Sequence, residues 1–117
     1  MSRKERIESL LRQEIATILQ HRISDSRIGF ISITSVDMTK DMSIATVYYS
    51  QLGSEKDKEK TRKGLHSAAK FVHFELGKIL NYLQSIPQIR FKYDDGIERG
   101  AHALAMLNKL ASEDAAQ

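Results

Sequence analysis

Apolar side chains recur at Ile7, Leu10, Leu11, Ile15, Ile18 and Leu19. The three- and four-residue spacing is that of one helix face, so an amphipathic helix is expected over roughly residues 3–21. Ser2-Arg3-Lys4-Glu5 has capping-box spacing at its start. Ser24-Asp25-Ser26 and Gly29 then interrupt the pattern. Phe30 to Met38 is rich in Ile, Thr and Val and reads as a strand. Its alternation slips: Ile31 and Ile33 share one phase, Val36 and Met38 the other, and a β-bulge would reconcile them. After the polar link Thr39-Lys40-Asp41-Met42, a second strand runs from Ile44 to Ser50 with Ala45, Val47 and Tyr49 on one face. The short link favours an antiparallel hairpin.

The longest periodic segment covers residues 55–83, where Leu65, Ala69, Val72, Leu76, Ile79, Leu80 and Leu83 trace a stripe. Ser54 is placed to cap it, ahead of Glu55 and Asp57 at the positive end of the helix. Such a helix is long for this chain, so a bend is expected. Gly64 and Gly77 are the weak points by propensity, and the periodicity leaves the position of the bend open. Ile86-Pro87 marks a stop. Ile89, Phe91 and Tyr93 then alternate with Arg90, Lys92 and Asp94 as a third strand, closed by Asp95-Gly96. Ile97, Ala101, Leu104, Leu107, Leu110 and Ala111 mark a final helix ending near Ser112. The expectation is one α+β domain over residues 1–112, in which helices cover one face of a three-stranded sheet, with 113–117 as a frayed tail.

Composition narrows the chemistry. The chain has 117 residues, no Cys, and 18 Lys and Arg against 15 Asp and Glu. Without Cys there is no disulfide, thiolate nucleophile or thiol metal site. The basic start has no uninterrupted apolar region behind it, and no apolar run approaches the roughly 18–20 residues that span a bilayer. A cytoplasmic location with no membrane partner is therefore expected. The positive charge is concentrated: residues 54–78 hold seven basic and four acidic side chains, and residues 79–117 four basic and five acidic.

No reaction motif stands out. His66 and His73 are seven apart, too far for chelation between neighbouring helical turns, and His21 and His102 complete no zinc pattern. Asp94, Asp95 and Glu98 are close in sequence, and paired carboxylates hold Mg²⁺ or share acid–base work. Their place at a strand end and helix start equally suits a turn and cap. Phosphate-loop, dinucleotide and nucleophile-elbow motifs are absent. The chain is thus expected not to be an enzyme and to need no metal or cofactor. A small Mg²⁺-dependent hydrolase or nuclease is kept as one alternative, and a protein-interaction module using the second sheet face as another.

The surface offers more. Lys56, Lys60, Lys63, Lys70 and Lys78 fall on one broad face of the long helix, displaced from its apolar stripe. That face would reach along about 33 Å of a phosphate backbone at about 1.5 Å per residue. Glu55, Asp57 and Glu59 dilute it, so a merely solvated face is the competing reading. Phe74 among these lysines suits either base stacking or the core edge. Arg3, Lys4, Arg6 and Arg12 give the first helix a second basic source. Arg90 and Lys92 point away from Phe91, towards a phosphate or simply as charges that protect a strand edge.

The ordered part of the chain resembles the bacterial ribosome-binding factor A family. The matching stretches include Ile23-Ser24-Asp25-Ser26-Arg27-Ile28-Gly29, Ile33 to Asp41 and Ala45-Thr46-Val47-Tyr48-Tyr49-Ser50. They continue through Ile86-Pro87-Gln88-Ile89-Arg90-Phe91 and Tyr93-Asp94-Asp95-Gly96-Ile97-Glu98-Arg99-Gly100. The resemblance implies a KH-domain-like type II fold of order α-β-β-α-(kink)-α-β, with an added C-terminal helix. It also implies a non-enzymatic assembly factor. Such a protein binds 16S ribosomal RNA on the free 30S subunit, supports late maturation and rRNA processing, and has assembly GTPases as candidate partners. The family's Ala-x-Gly kink corresponds here to Ala68-Ala69-Lys70, with lysine in place of glycine. A monomer is expected, with RNA contacts at Arg3, Lys4, Arg6, Lys60, Lys63, Lys70, His73, Phe74, Lys78, Arg90 and Lys92.

Overall fold

The computed structural model describes residues 1–96 and Leu107. The expected final helix, its Glu98 and His102, and the expected tail lie outside the described residues. The elements are α1 (Arg3–His21), β1 (Ser32–Met38), β2 (Ile44–Ser50), α2 (Glu55–Ile79) and β3 (Gln88–Tyr93). This is an α+β arrangement, with both helices against one face of the sheet.

Both helices start on serine caps. Ser2 Oγ accepts from Glu5 N at 3.1 Å, and Ser54 Oγ accepts from Asp57 N at 3.1 Å. Each removes one backbone donor from the unpaired first turn. Helix α1 buries Leu11, Ile15 and Ile18, the centre of its predicted stripe.

The sheet order is β1-β2-β3. Strands β1 and β2 are antiparallel, with Ile33 opposite Tyr49, Val36 opposite Val47 and Met38 opposite Ala45. The register shifts between Ile33 and Ser35. That irregularity is the bulge anticipated from the phase slip: it returns Ile33, Val36 and Met38 to one face. Strand β3 lies parallel to β2, with Ile89 beside Ala45 and Phe91 beside Val47. The core joins the helices to this face through Leu11, Ile15, Ile18, Met38, Ala45, Val47, Val72, Leu76, Leu80 and Ile89. Full burial of one such aliphatic side chain contributes about 1.5–3 kcal/mol.

Helix α2 corrects two expectations. It is a single α-helix through Ala68, Ala69 and Lys70, so no break there divides it in two. Lysine is a much better helix former than the glycine it replaces, and the backbone hydrogen bonds run on. The helix also ends at Ile79, with Leu80 as its cap, short of Leu83. Gly64 lies within this continuous helix and has a packing role. A Cβ built there would lie 2.6 Å from Ile28 Cγ1 and 3.3 Å from Arg27 Cβ, so the missing side chain lets the 22–29 segment press against the helix.

That contact is reinforced by Thr61, which is fully buried. Its Oγ1 accepts from Gly29 N at 3.1 Å and donates to the Arg27 carbonyl at 3.4 Å. Farther along, the buried Glu75 carboxylate accepts from Arg22 Nη1 at 3.3 Å and from Lys78 Nζ at 3.4 Å. These links tie the end of α1 and the loop after it to α2, and so fix the direction of the basic helix.

Candidate nucleic-acid interface

Burial divides α2 cleanly. Thr61, Gly64, Leu65, Ala68, Val72, Glu75 and Leu76 face inward. Lys56, Lys60, Lys63, Lys70, Phe74 and Lys78 are exposed, on the outward side of the helix. Phe74 is 61% exposed, which removes it from the core. Its ring lies 4.5 Å from Lys78 Nζ, in cation–π contact. Lys78 also bonds Glu75, so two groups already engage this ammonium.

A second basic surface lies on the flank of α2 that faces β3. Arg62, His66, Ala69, Lys70 and His73 from the helix, with Gln88, Ile89, Arg90 and Phe91 from the strand, line a groove of about 620 Å³. Three expected contact residues meet here: Lys70, His73 and Arg90. No carboxylate is among the described residues that line it. His73 Nδ1 lies 2.9 Å from the Pro87 carbonyl oxygen. With Nδ1–H as the donor to that carbonyl, the lone pair of the neutral ring is on Nε2. Arg62 donates to Glu59 at 2.6 and 3.0 Å. The bond from Arg62 holds the Glu59 carboxyl below its ordinary range. The same bond raises the Arg62 guanidinium.

The other expected residues are placed apart from this groove. Arg3, Lys4 and Arg6 sit at the start of α1. Lys4 Nζ is 3.9 Å from Glu8 and 4.0 Å from Asp37 of β1, and so is engaged on the opposite side of the sheet order. Lys60 and Lys63 stand on the outward ridge. Lys92 is exposed on β3, alongside Tyr48 of β2 and outside the groove lining.

Arg62 and His66 were not anticipated. Their spacing with Ala69, Lys70 and His73 is that of one helix flank, but the identity of the strand opposite that flank is a matter of topology.

A neighbouring recess of about 540 Å³ holds Tyr49, Glu55, Lys58, Glu59, Arg62, Tyr93 and Asp95. Burial pushes the Tyr49 hydroxyl up. Lys58 Nζ lies 5.1 Å from the centre of the Tyr93 ring. The bond with Tyr93 is the main reason the Lys58 ammonium is raised. Asp94 Oδ2 accepts from Thr34 Oγ1, which ties the end of β3 to β1 across the sheet. Among the described residues no group of three or more His, Cys, Asp or Glu is arranged to hold a metal ion. No helix among them is long and apolar enough to cross a membrane.

A family model described as ribosome-binding factor A matches residues 3–107. A ribosome-binding factor A from Dictyoglomus thermophilum is 44% identical over 113 residues, covering 96% of this chain and 93% of the relative. One from Staphylococcus saprophyticus is 43% identical over 112 residues, covering 96% and 97%. Among solved structures, the solution NMR structure of a Thermotoga maritima protein aligns with a TM-score of 0.71 at 34% identity, over 82% of this chain and 91% of that one. A homology model of the Thermus thermophilus ribosome binding factor A, as fitted into the cryo-EM map of a 30S complex, aligns with a TM-score of 0.62 at 22% identity, over 74% and 90%. At that identity the likeness speaks to fold alone.

Proposed function

The chain belongs to the ribosome-binding factor A family, and from that membership we propose that it binds the free 30S subunit and its 16S ribosomal RNA during late maturation. The observation that carries this reading is the near-complete span of the match, which leaves no substantial part of residues 3–107 outside the family pattern. The presence of a family relative in a 30S complex supports the same partner.

The proposed mechanism is positional. Cationic side chains neutralise phosphates and place the domain at an rRNA junction that must stay accessible until processing ends. Lys60, Lys63, Lys70, His73, Phe74 and Lys78 of α2, with Arg90 of β3, form the main proposed contact, and Arg3, Lys4, Arg6 and Lys92 give secondary ones. The protein acts in the cytoplasm as a monomer of one RNA-binding domain over residues 1–112, with no bond-making chemistry of its own and with assembly GTPases as candidate partners. Co-sedimentation of the purified chain with free 30S subunits and with 70S ribosomes tests this. Retention on 30S, lost as salt is raised, is expected. Equal retention on 70S ribosomes would contradict the proposal.

A further inference from the structure

The groove between α2 and β3 differs from the lysine ridge in one chemical respect: two of its cationic positions are imidazoles. His66 and His73 share the flank of α2 that lines it. Facing them are Arg62 and Lys70 from α2 and Arg90 from β3. The segment entering β3 contributes the Pro87 carbonyl and Gln88, neither of which titrates. Glu59, one turn before Arg62 and about two before His66, is bound to Arg62. The other carboxylate near His73 in sequence, Glu75, is buried and faces Arg22 and Lys78.

Lys70, Arg90 and the Glu59-bonded Arg62 line the groove beside the two rings, with no carboxylate among the described residues of the lining itself. A polyanion laid in the groove would place phosphate oxygens beside the imidazoles, and a neighbouring anion favours the charged ring. The bond from His73 to Pro87 adds direction. With Nδ1 engaged, the proton taken up goes to Nε2 and creates a donor away from the anchoring carbonyl.

We infer that this groove is a phosphodiester-binding site whose occupancy is coupled to proton uptake by His66 and His73. This rests on the RNA-binding reading above and adds to it both a location and a linked ligand, the proton. A single-stranded backbone is the occupant the lining favours. Its phosphates suit the convergent Arg62, Lys70 and Arg90 charges, and half-buried Phe91 and Ala69 leave an apolar floor between them. By linkage, affinity rises as pH falls through the range in which histidine gains charge, about pH 8 to 6.

The test measures binding of the full chain to an oligouridylate, whose bases do not titrate in this range, at fixed ionic strength. Wild-type affinity is expected to rise about tenfold from pH 8 to pH 6, the equivalent of one good charge-assisted contact. The pair His66→Asn and His73→Asn together should cut that response to about twofold or less, whereas His21→Asn and His102→Asn should leave it intact. Calorimetry of the unaltered protein in two buffers of different ionisation enthalpy should show net proton uptake on binding at pH 7.

No net uptake, or an unchanged pH response in the double variant, would overturn the coupling while leaving RNA binding in place. Failure to bind the oligomer or 30S subunits at any pH would remove the RNA reading and the inference together. Equal, equally pH-dependent binding of an oligoglutamate of matched charge would overturn the phosphodiester assignment in favour of an acidic protein segment.

Discussion

Gly64 and Gly77 occupy the same helix, yet alanine should act on them in opposite directions. At Gly64 the new methyl carbon would sit 2.6 Å from Ile28 Cγ1 and 3.3 Å from Arg27 Cβ. Neither atom is the free tip of a flexible chain, so relief requires the 22–29 segment to move. Overpacking of this kind costs about 1–3 kcal/mol, against about 1 kcal/mol gained in helix propensity. Gly64→Ala should therefore destabilise the protein by up to about 2 kcal/mol. At Gly77 the nearest atom is Ile86 Cγ1 at 4.0 Å, an ordinary contact. Gly77→Ala should stabilise by about 0.5–1 kcal/mol. With a urea dependence of about 1–3 kcal/mol per molar, the two midpoints should differ by about 1 M. Helical circular dichroism during urea titration measures this directly. If both variants are stabilised alike, the tight seat of the 22–29 segment on α2 is wrong, and with it the account of what orients the basic helix.

Thr61→Val keeps the shape but removes the partner of Gly29 N and of the Arg27 carbonyl. A loss of about 1–2 kcal/mol in chemical denaturation is expected. Leu76→Ala, at a fully buried core position, should cost about 2–5 kcal/mol by the same measurement. The Asp25 carboxyl is held at about 2 by hydrogen bonds from the Arg27 side chain and backbone. Because its folded value is depressed, the stabilisation from this contact is present above its ordinary value of 3.8 and is lost as pH falls towards about 2. Carboxyl NMR titration should show that midpoint, and Arg27→Gln should move it back up. Removing Arg62, Lys70 and Arg90 one at a time should each lower the salt slope of RNA binding by about 1.

Both helix starts, β2 and the cause of the β1 phase slip were readable from local pattern, since capping and alternation depend on near neighbours in sequence. The undivided α2 was less legible. Propensity marks Gly64 only as a weak point, whereas its packing role depends on Arg27 and Ile28, which lie more than thirty residues away in the chain. The lysine ridge was visible because helical spacing alone defines it. The groove was not, because it requires β3 to lie parallel to β2 and to bring Arg90 against the flank of Arg62, His66 and His73. His73 was expected among the RNA contacts, but His66 was weighed only for metal binding, for which a spacing of seven is wrong; as two donors along a phosphate chain the same spacing is useful.

The most direct test of the central claim is a crosslinking map of this protein on an immature small subunit. The account predicts 16S rRNA crosslinks from α2 at Lys63 and Lys70 and from β3 at Arg90, weakened when Lys63, Lys70 and Arg90 are replaced by alanine. Crosslinks confined to ribosomal proteins, or an rRNA footprint unchanged by those replacements, would contradict it.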